Sequence, residues 1–290
     1  MLFYIAGKGL EILYQNSVVG AAHDAEQRFP PPNCYPGTRT ETLEILRNWV
    51  NDSTKTASIY WLYGAAGVGK SAIAQTVSEE FANSHLAASF FFSRADPTRN
   101  NLQHFFTTVS LQMATSHVLG PILSEYVDLT VRRERNIVHA KLERQFQELV
   151  AKPCHRLTAE QWNNLPQLIV IDGLDECIDI ASQERLLSII REAKSGSMVP
   201  FKFLICSRPE PRIRNAFNHQ VFVPWWLAVT WAKHLNLGMT LPGTSARNSI
   251  EFDKSMAIIW CMYLKIGLAK ELYNYLYRGH AASLFMQLLS

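Results

Sequence analysis

The chain has 290 residues, of which 48% are hydrophobic and 18% charged, an ordinary composition for a folded globular protein. The formal net charge of +3 is small, its excess lies in residues 221–290, and no basic block indicates nucleic-acid binding. Five cysteines without a C-x-x-C pair favour a reducing, cytoplasmic compartment over a disulfide framework or a zinc site.

Residues 1–37 are predicted to form an N-terminal helix and a proline-rich lead-in. The first twenty residues are apolar but have no basic start and include Lys8, so a cleaved signal peptide is not expected. The stretch 28–37 holds four prolines and a glycine, which favours an extended chain. Thr38 and Glu41 then have the spacing of a capping box, which predicts an amphipathic helix from there to about residue 51.

From residue 58 onward, short apolar strands alternate with helical patterns. Strands are predicted at 58–63, 88–93, 165–172 and 201–207, and helices at 70–82, 100–116, 120–129, 138–150 and 182–194. Continuous apolar strands separated by helices are typical of a parallel sheet that is covered on both faces. The sequence therefore predicts an α/β three-layer sandwich with a mostly parallel sheet over residues 38–220.

Residues 221–290 do not continue this pattern. They hold four of the seven tryptophans and few charges, and we expect an irregular or helical tail of unknown role. The apolar run 256–264 is nine residues long, far short of the roughly 20 that a membrane-spanning helix needs. Membrane insertion is not expected, and peripheral membrane binding through the tail is a weaker alternative.

A glycine-rich motif directly follows the first predicted strand. It fits G-x-x-x-x-G-K-[ST] and has the preceding strand and following helix that give this motif its meaning. Small residues let backbone N–H groups wrap around a phosphate at a helix N-terminus. We expect Lys70 to neutralise phosphate oxygens and Ser71 to ligate Mg²⁺; the alternative is a chance glycine turn. The predicted nucleotide-binding residues are Gly64, Ala65, Ala66, Gly67, Val68, Gly69, Lys70 and Ser71.

Acidic residues follow the third predicted strand. Asp172 ends that strand about 100 residues after Lys70, where the second Mg²⁺ ligand of a P-loop fold is expected. Glu176 is the first choice for the group that orients or deprotonates an attacking water, and Asp175 is the second. The alternative, a solvated acidic turn, fits the preceding apolar run poorly.

The fourth predicted strand ends in a serine followed by Arg208. In a parallel sheet this strand end lies beside the previous one, so Arg208 could reach the γ-phosphate of a bound nucleotide. The alternative is an arginine at the surface. No N-K-x-D guanine-specificity motif is present, so ATP is favoured over GTP.

Together these motifs resemble the NACHT family of STAND-class P-loop NTPases, and most closely the nephrocystin-like NACHT modules of fungal proteins. The likeness covers about residues 22–219 and rests on five elements in the family's order: the lead-in, the glycine-rich loop, the second strand, "LIVIDGLDEC" and "FKFLICSRPE". It implies a Mg-ATP-dependent signalling switch of fungal innate immunity that toggles between a closed monomer and an oligomer. It also implies that Thr38 and Arg39 flank the adenine.

The resemblance ends at about residue 220. Family members continue with a helical and a winged-helix subdomain whose histidine holds ADP, and His234 does not match that pattern. The chain is therefore expected to be truncated after its last matching strand. The alternative function is a nucleotide-binding scaffold, or a partner for signalling proteins, that lacks useful hydrolysis because the lid subdomains are missing.

Overall fold

The computed structural model describes residues 7–52, 57–196 and 199–218, together with the backbone of 226–230. These residues belong to the first of two compact units, Met1–Asn236, and the second unit, Leu237–Ser290, lies outside the described residues. In the described part of the chain, no helix is long and apolar enough to cross a membrane.

Five parallel strands form one sheet in the order β2-β3-β4-β1-β5. They are β1 (Ile59–Tyr63), β2 (Leu86–Phe91), β3 (Leu168–Asp172), β4 (Lys202–Ser207) and β5 (Trp226–Thr230). Strands β1 to β4 are buried almost throughout, which explains why the sequence shows continuous apolar runs rather than alternation. As predicted, β4 lies beside β3, and the carboxyl ends of β3, β4 and β1 share one edge of the sheet.

Helices cover both faces of this sheet. They are α1 (Lys8–Gln15), α2 (Thr40–Asn51), α3 (Lys70–Phe81), α4 (Phe105–Thr115), α5 (Gly120–Arg133), α6 (Leu142–Phe146), α7 (Lys152–Cys154), α8 (Ala159–Trp162), α9 (Ile180–Ser195) and α10 (Pro211–Asn218). One π-helical turn, Gln147–Ala151, joins α6 to α7. Pro121 lies in the first turn of α5, as the sequence predicts.

Two hydrophobic cores lie on opposite sides of the sheet. Along β1, Tyr60 and Leu62 belong to a core shared with α2 and α3. Ile59 and Trp61 belong to the other core, which includes residues of α4, α9 and α10. This alternation confirms the α/β three-layer sandwich of P-loop type.

The capping box predicted at Thr38 and Glu41 is wrong. Helix α2 begins at Thr40, and its N-cap residue, Arg39, has a left-handed backbone (φ 62°) and makes no capping hydrogen bond through its side chain. The Thr38 hydroxyl instead donates to the carbonyl of Tyr35 at 2.6 Å, within the turn that precedes the helix. A capping box does start α8, where Thr158 and Gln161 cap each other's backbone N–H groups.

Four short elements lie outside the predicted helices and strands, namely α7, α8, α10 and β5. Strand β5 lies within the segment predicted to be an irregular or helical tail, and it pairs in parallel with all five residues of β1. A predicted boundary also moves, because β2 starts at Leu86 and ends at Phe91, two residues earlier than expected at either end. The rest of the predicted tail lies outside the described residues.

Candidate functional site

The glycine-rich loop (residues 64–71) connects the carboxyl end of β1 to the first turn of α3. Its backbone turns at Gly67 and Gly69, which have positive φ angles of 77° and 95° that residues with a Cβ rarely adopt. The Gly64 N–H donates to the carbonyl of Ser207 at 3.4 Å, which ties the start of the loop to the end of β4. The loop therefore lies at the edge where the strand ends meet.

The Lys70 side chain folds back over the start of this loop. Its Nζ donates to the carbonyl oxygens of Gly64 and Ala65, each at 2.9 Å. The same ammonium acts electrostatically on Asp172, where it lowers the pKa of the carboxyl. The structure thus brings together two groups that lie about 100 residues apart in sequence.

Asp172 ends β3 and is only 5% exposed. The Ser71 hydroxyl lies near this carboxyl group and lowers its pKa. The Oδ1 atom of Asp172 is buried and has no hydrogen-bond partner among the described residues. Buried polar atoms are nearly always satisfied, so this oxygen requires an explanation.

Burial raises the pKa of the Asp172 carboxyl from 3.8 to about 6. The nearby Ser71 hydroxyl and the positive charges of Arg28 and Lys70 oppose this shift, whereas the negative charge of Glu176 adds to it. A buried carboxylate beside a hydroxyl supplies the hard oxygen ligands that Mg²⁺ prefers. Ser71 and Asp172 therefore fit the metal that the sequence predicts for them.

A tight acidic turn follows Asp172. Gly173 has a φ of 71°, and residues Leu174–Glu176 form one 3-10 turn. The two acids of this turn lie in different surroundings. Asp175 is almost fully buried, whereas Glu176 is half-buried and accepts the backbone N–H of Arg94 at 3.0 Å through Oε2.

Arg208 contacts the first of these acids. Its backbone N–H donates to Asp175 Oδ1 at 2.8 Å, and its Nε lies 3.2 Å from Asp175 Oδ2. The Arg208 side chain is 47% exposed and that of Asp175 only 6% exposed. Both carboxylate oxygens of Asp175 thus contact Arg208. Of the two acids predicted to contact a water molecule, Glu176 is therefore the more accessible.

Sequence reasoning missed a cation beside this site, Arg28. Its guanidinium donates to Gln75 Oε1 at 2.6 Å and lies 3.5 Å from the centre of the Phe91 ring. Gln75 is one turn of α3 beyond Ser71, and Phe91 pairs with Asp172 across β2 and β3. Burial lowers the pKa of Arg28 to about 10, whereas the negative charge of Asp172 acts to raise it. Only the start of the proline-rich segment marks this residue in the sequence.

Arg39 also lies against the glycine-rich loop. Its guanidinium NH2 group donates to the carbonyl of Val68 at 3.3 Å. The family resemblance pairs this arginine with Thr38 as residues that flank an adenine. The contact with Val68 places Arg39 beside the glycine-rich loop, and the adenine contact stays a prediction.

Within the described residues, the other candidates from the sequence add no group to this site. Within residues 7–52, 57–196 and 199–218, no three His, Cys, Asp or Glu side chains cluster closely enough to hold a metal ion. Cys154 and His155 are adjacent in sequence and could offer two metal ligands, but no second pair at ligand spacing accompanies them, and Cys154 is buried in the core. His234, the histidine compared with an ADP-holding residue, lies outside the described residues.

Comparison with known families places the chain. Residues 38–208 match the family described as nephrocystin 3, N-terminal, whereas no curated protein matches the chain. The matched region is more than half of the chain. It runs from the turn before α2 to the residue after β4, so it includes the glycine-rich loop and the acidic turn. The chain belongs to the nephrocystin 3 N-terminal family.

Proposed function

We propose that this chain is a NACHT-type P-loop module that binds a Mg²⁺–nucleoside triphosphate at the glycine-rich loop. The observation that carries the proposal is the buried Asp172 at the end of β3, whose Oδ1 has no partner among the described residues. Ser71 and Asp172 would hold the Mg²⁺ ion. A bound Mg²⁺ ion neutralises phosphate charge and orients the reacting phosphoryl group.

The residues of the loop would bind the phosphates. Backbone N–H groups at the start of α3 face an anion, and the helix dipole favours negative charge there. Lys70 donates hydrogen bonds to two loop carbonyls and would donate to phosphate oxygens instead when a nucleotide binds. A hydrogen bond from an ammonium to a charged phosphate oxygen is stronger than one to a neutral carbonyl.

Glu176 is the residue proposed to activate water. One of its carboxylate oxygens accepts a hydrogen bond from Arg94, so the group is held in one orientation while it stays half-exposed. A carboxylate held in this way can orient a water molecule and accept its proton. Asp175 is less suited, because Arg208 occupies both of its oxygens.

We further propose that the nucleotide is ATP and that it acts as a switch controlling self-association or the binding of a signalling partner. The absence of an N-K-x-D motif supports ATP over GTP. Membership of the nephrocystin 3 N-terminal family and the sequence likeness to NACHT modules support the switch.

Titration calorimetry with Mg-ATP, Mg-ADP and Mg-GTP tests the binding proposal. Lys70→Ala should weaken Mg-ATP binding at least about 100-fold, since it removes charge-assisted hydrogen bonds to phosphate. Lys141→Ala is the matched control, because Lys141 is exposed and precedes another helix. Equal Mg-ATP affinity of the wild type and Lys70→Ala would refute the assignment of the loop.

A nucleotide-binding scaffold without hydrolysis is the second candidate. It is favoured by the pairing of Asp175 with Arg208, which engages one acid and one cation that hydrolysis could use. Single-turnover measurements on the wild type, Glu176→Gln and the exposed control Glu160→Gln separate the two candidates. A wild-type rate equal to that of buffer would support the scaffold, and a loss of rate confined to Glu176→Gln would support the hydrolase.

A further inference from the structure

We propose that Arg94 is a positioning residue that holds Glu176 in the orientation needed for hydrolysis; this inference rests on the function proposed above. Arg94 lies in the loop between β2 and α4 and contacts the acidic turn in two ways. Its backbone N–H donates to Glu176 Oε2 at 3.0 Å. Its guanidinium NH2 group donates to the carbonyl of Asp175 at 3.1 Å. One residue thus fixes both the carboxylate and the peptide group that carries it.

The loop that presents Arg94 is itself braced by hydrogen bonds. The Asp96 carboxylate accepts the backbone N–H of Thr98 at 2.9 Å, its hydroxyl at 2.7 Å, and the Nε of Arg99 at 2.7 Å. The Ser93 N–H donates to the carbonyl of Arg99 at 3.1 Å, which closes the loop. The backbone that carries Arg94 is therefore held in place by hydrogen bonds, as the backbone of a positioning residue must be.

The same loop also holds the far end of the acidic turn. The Ile178 N–H donates to the carbonyl of Asn100 at 2.8 Å, and Asn100 Nδ2 donates to the carbonyl of Arg94 at 3.4 Å. On its other side the turn is held through Asp175 by Arg208. Glu176 thus lies between two anchored points, and the Arg94 side chain holds the carbonyl of the residue directly before it.

The Arg94 side chain is exposed, so its removal should change the orientation of the Glu176 carboxylate without disturbing the core. We expect Arg94→Ala to lower the single-turnover rate of Mg-ATP hydrolysis about ten-fold, because small misplacement of a reacting group is costly to the rate. The Kd for Mg-ATP should change less than about two-fold, since Arg94 contacts neither Lys70 nor Ser71 in the structure. Arg94→Lys should recover most of the rate, because an ammonium can donate to the same carbonyl.

A double-mutant cycle distinguishes positioning from a separate role. In the Glu176→Gln background, Arg94→Ala should cause no further loss of rate, because both changes act on one group. Arg133→Ala, at the exposed end of α5, is the control and should behave as the wild type.

Four outcomes would overturn the proposal. If Arg94→Ala hydrolyses Mg-ATP at the wild-type rate, the positioning role is refuted while the proposed hydrolysis stands. If the rate losses of Arg94→Ala and Glu176→Gln are additive, Arg94 acts independently of Glu176. A weaker Kd at an unchanged rate means that Arg94 contacts the nucleotide directly. A wild-type chain that hydrolyses no ATP overturns the proposed hydrolysis, and positioning falls with it.

Discussion

Replacing Asp172 with asparagine should stabilise the chain when nucleotide and metal are absent. Burial raises the pKa of this carboxyl from 3.8 to about 6. A carboxyl with a higher pKa in the folded state binds more protons when folded. The free energy of unfolding therefore falls as the pH rises from 3.8 to about 6, and it stays low above that range. At neutral pH the ionised Asp172 destabilises the fold.

The size of the effect follows from the pKa. At about 1.4 kcal/mol per pH unit, the ionised carboxylate destabilises the folded chain by about 3 kcal/mol near pH 7.5. Asparagine has the same shape without the charge, but its buried amide N–H groups need acceptors, which offsets about 1–2 kcal/mol of the gain. We therefore expect Asp172→Asn to raise the free energy of unfolding by about 1–2 kcal/mol, or the Tm by about 2–8 °C.

Urea unfolding in EDTA at about pH 7.5 and pH 5 measures this effect. About half of the penalty in the wild type disappears at the lower pH, so the advantage of Asp172→Asn should shrink by about 1.5 kcal/mol. Asp179→Asn is the matched control, because Asp179 is exposed and caps α9, a role that asparagine also fills. The reasoning is refuted if Asp172→Asn is less stable than the wild type at pH 7.5, or if the difference does not depend on pH.

Two further predictions concern thiol reactivity and the acidic turn. Among the described cysteines, iodoacetamide should modify the half-buried Cys34 in the native chain, and peptide mass spectrometry should find the buried thiols intact because burial raises their pKa. Alkylation of a buried thiol at the rate of Cys34 would contradict this. The protected residues are Cys154, Cys177 and Cys206. Gly173→Ala should destabilise the chain by about 1–2 kcal/mol in urea unfolding, because φ is 71° and the added Cβ would lie 3.4 Å from the Phe92 carbonyl; an unchanged midpoint would refute this.

The sheet could be predicted because its strands are buried on both faces. The runs "SIYWLY" and "LIVID" are continuous and apolar, and such runs between helices indicate parallel strands. Strand β5 carries a similar run, "WLAVT", but it lies in a segment where no surrounding pattern marks its ends. The start of α2 could not be predicted from residue types, since the left-handed backbone of Arg39 moves the helix start to Thr40 and leaves Thr38 in the preceding turn.

The meeting of Lys70, Ser71 and Asp172 could be predicted, because the carboxyl ends of parallel strands share one edge of the sheet. The sequence could not predict whether Asp175 or Glu176 remains free to contact a water molecule. That depends on the side-chain directions within a three-residue turn. The pairing of Asp175 with Arg208 decides it, and sequence spacing carries no information about that pairing.

The cations around the site were hidden for a related reason. Arg28 and Arg94 reach it from segments far away in sequence, and each is fixed by contacts with other loops and helices. Neither lies within a motif that assigns a role to an arginine. Contacts of this kind become visible only when the fold has brought the segments together.

The metal dependence of nucleotide binding tests the central claim most directly. The Kd for ATP would be measured with Mg²⁺ and with EDTA, on the wild type and on Asp172→Asn. The account predicts that the wild type binds ATP at least about ten-fold more weakly in EDTA, whereas Asp172→Asn binds it equally under both conditions within about two-fold. A wild type that binds ATP equally well without Mg²⁺, or an Asp172→Asn chain that keeps the full Mg²⁺ dependence, would contradict it.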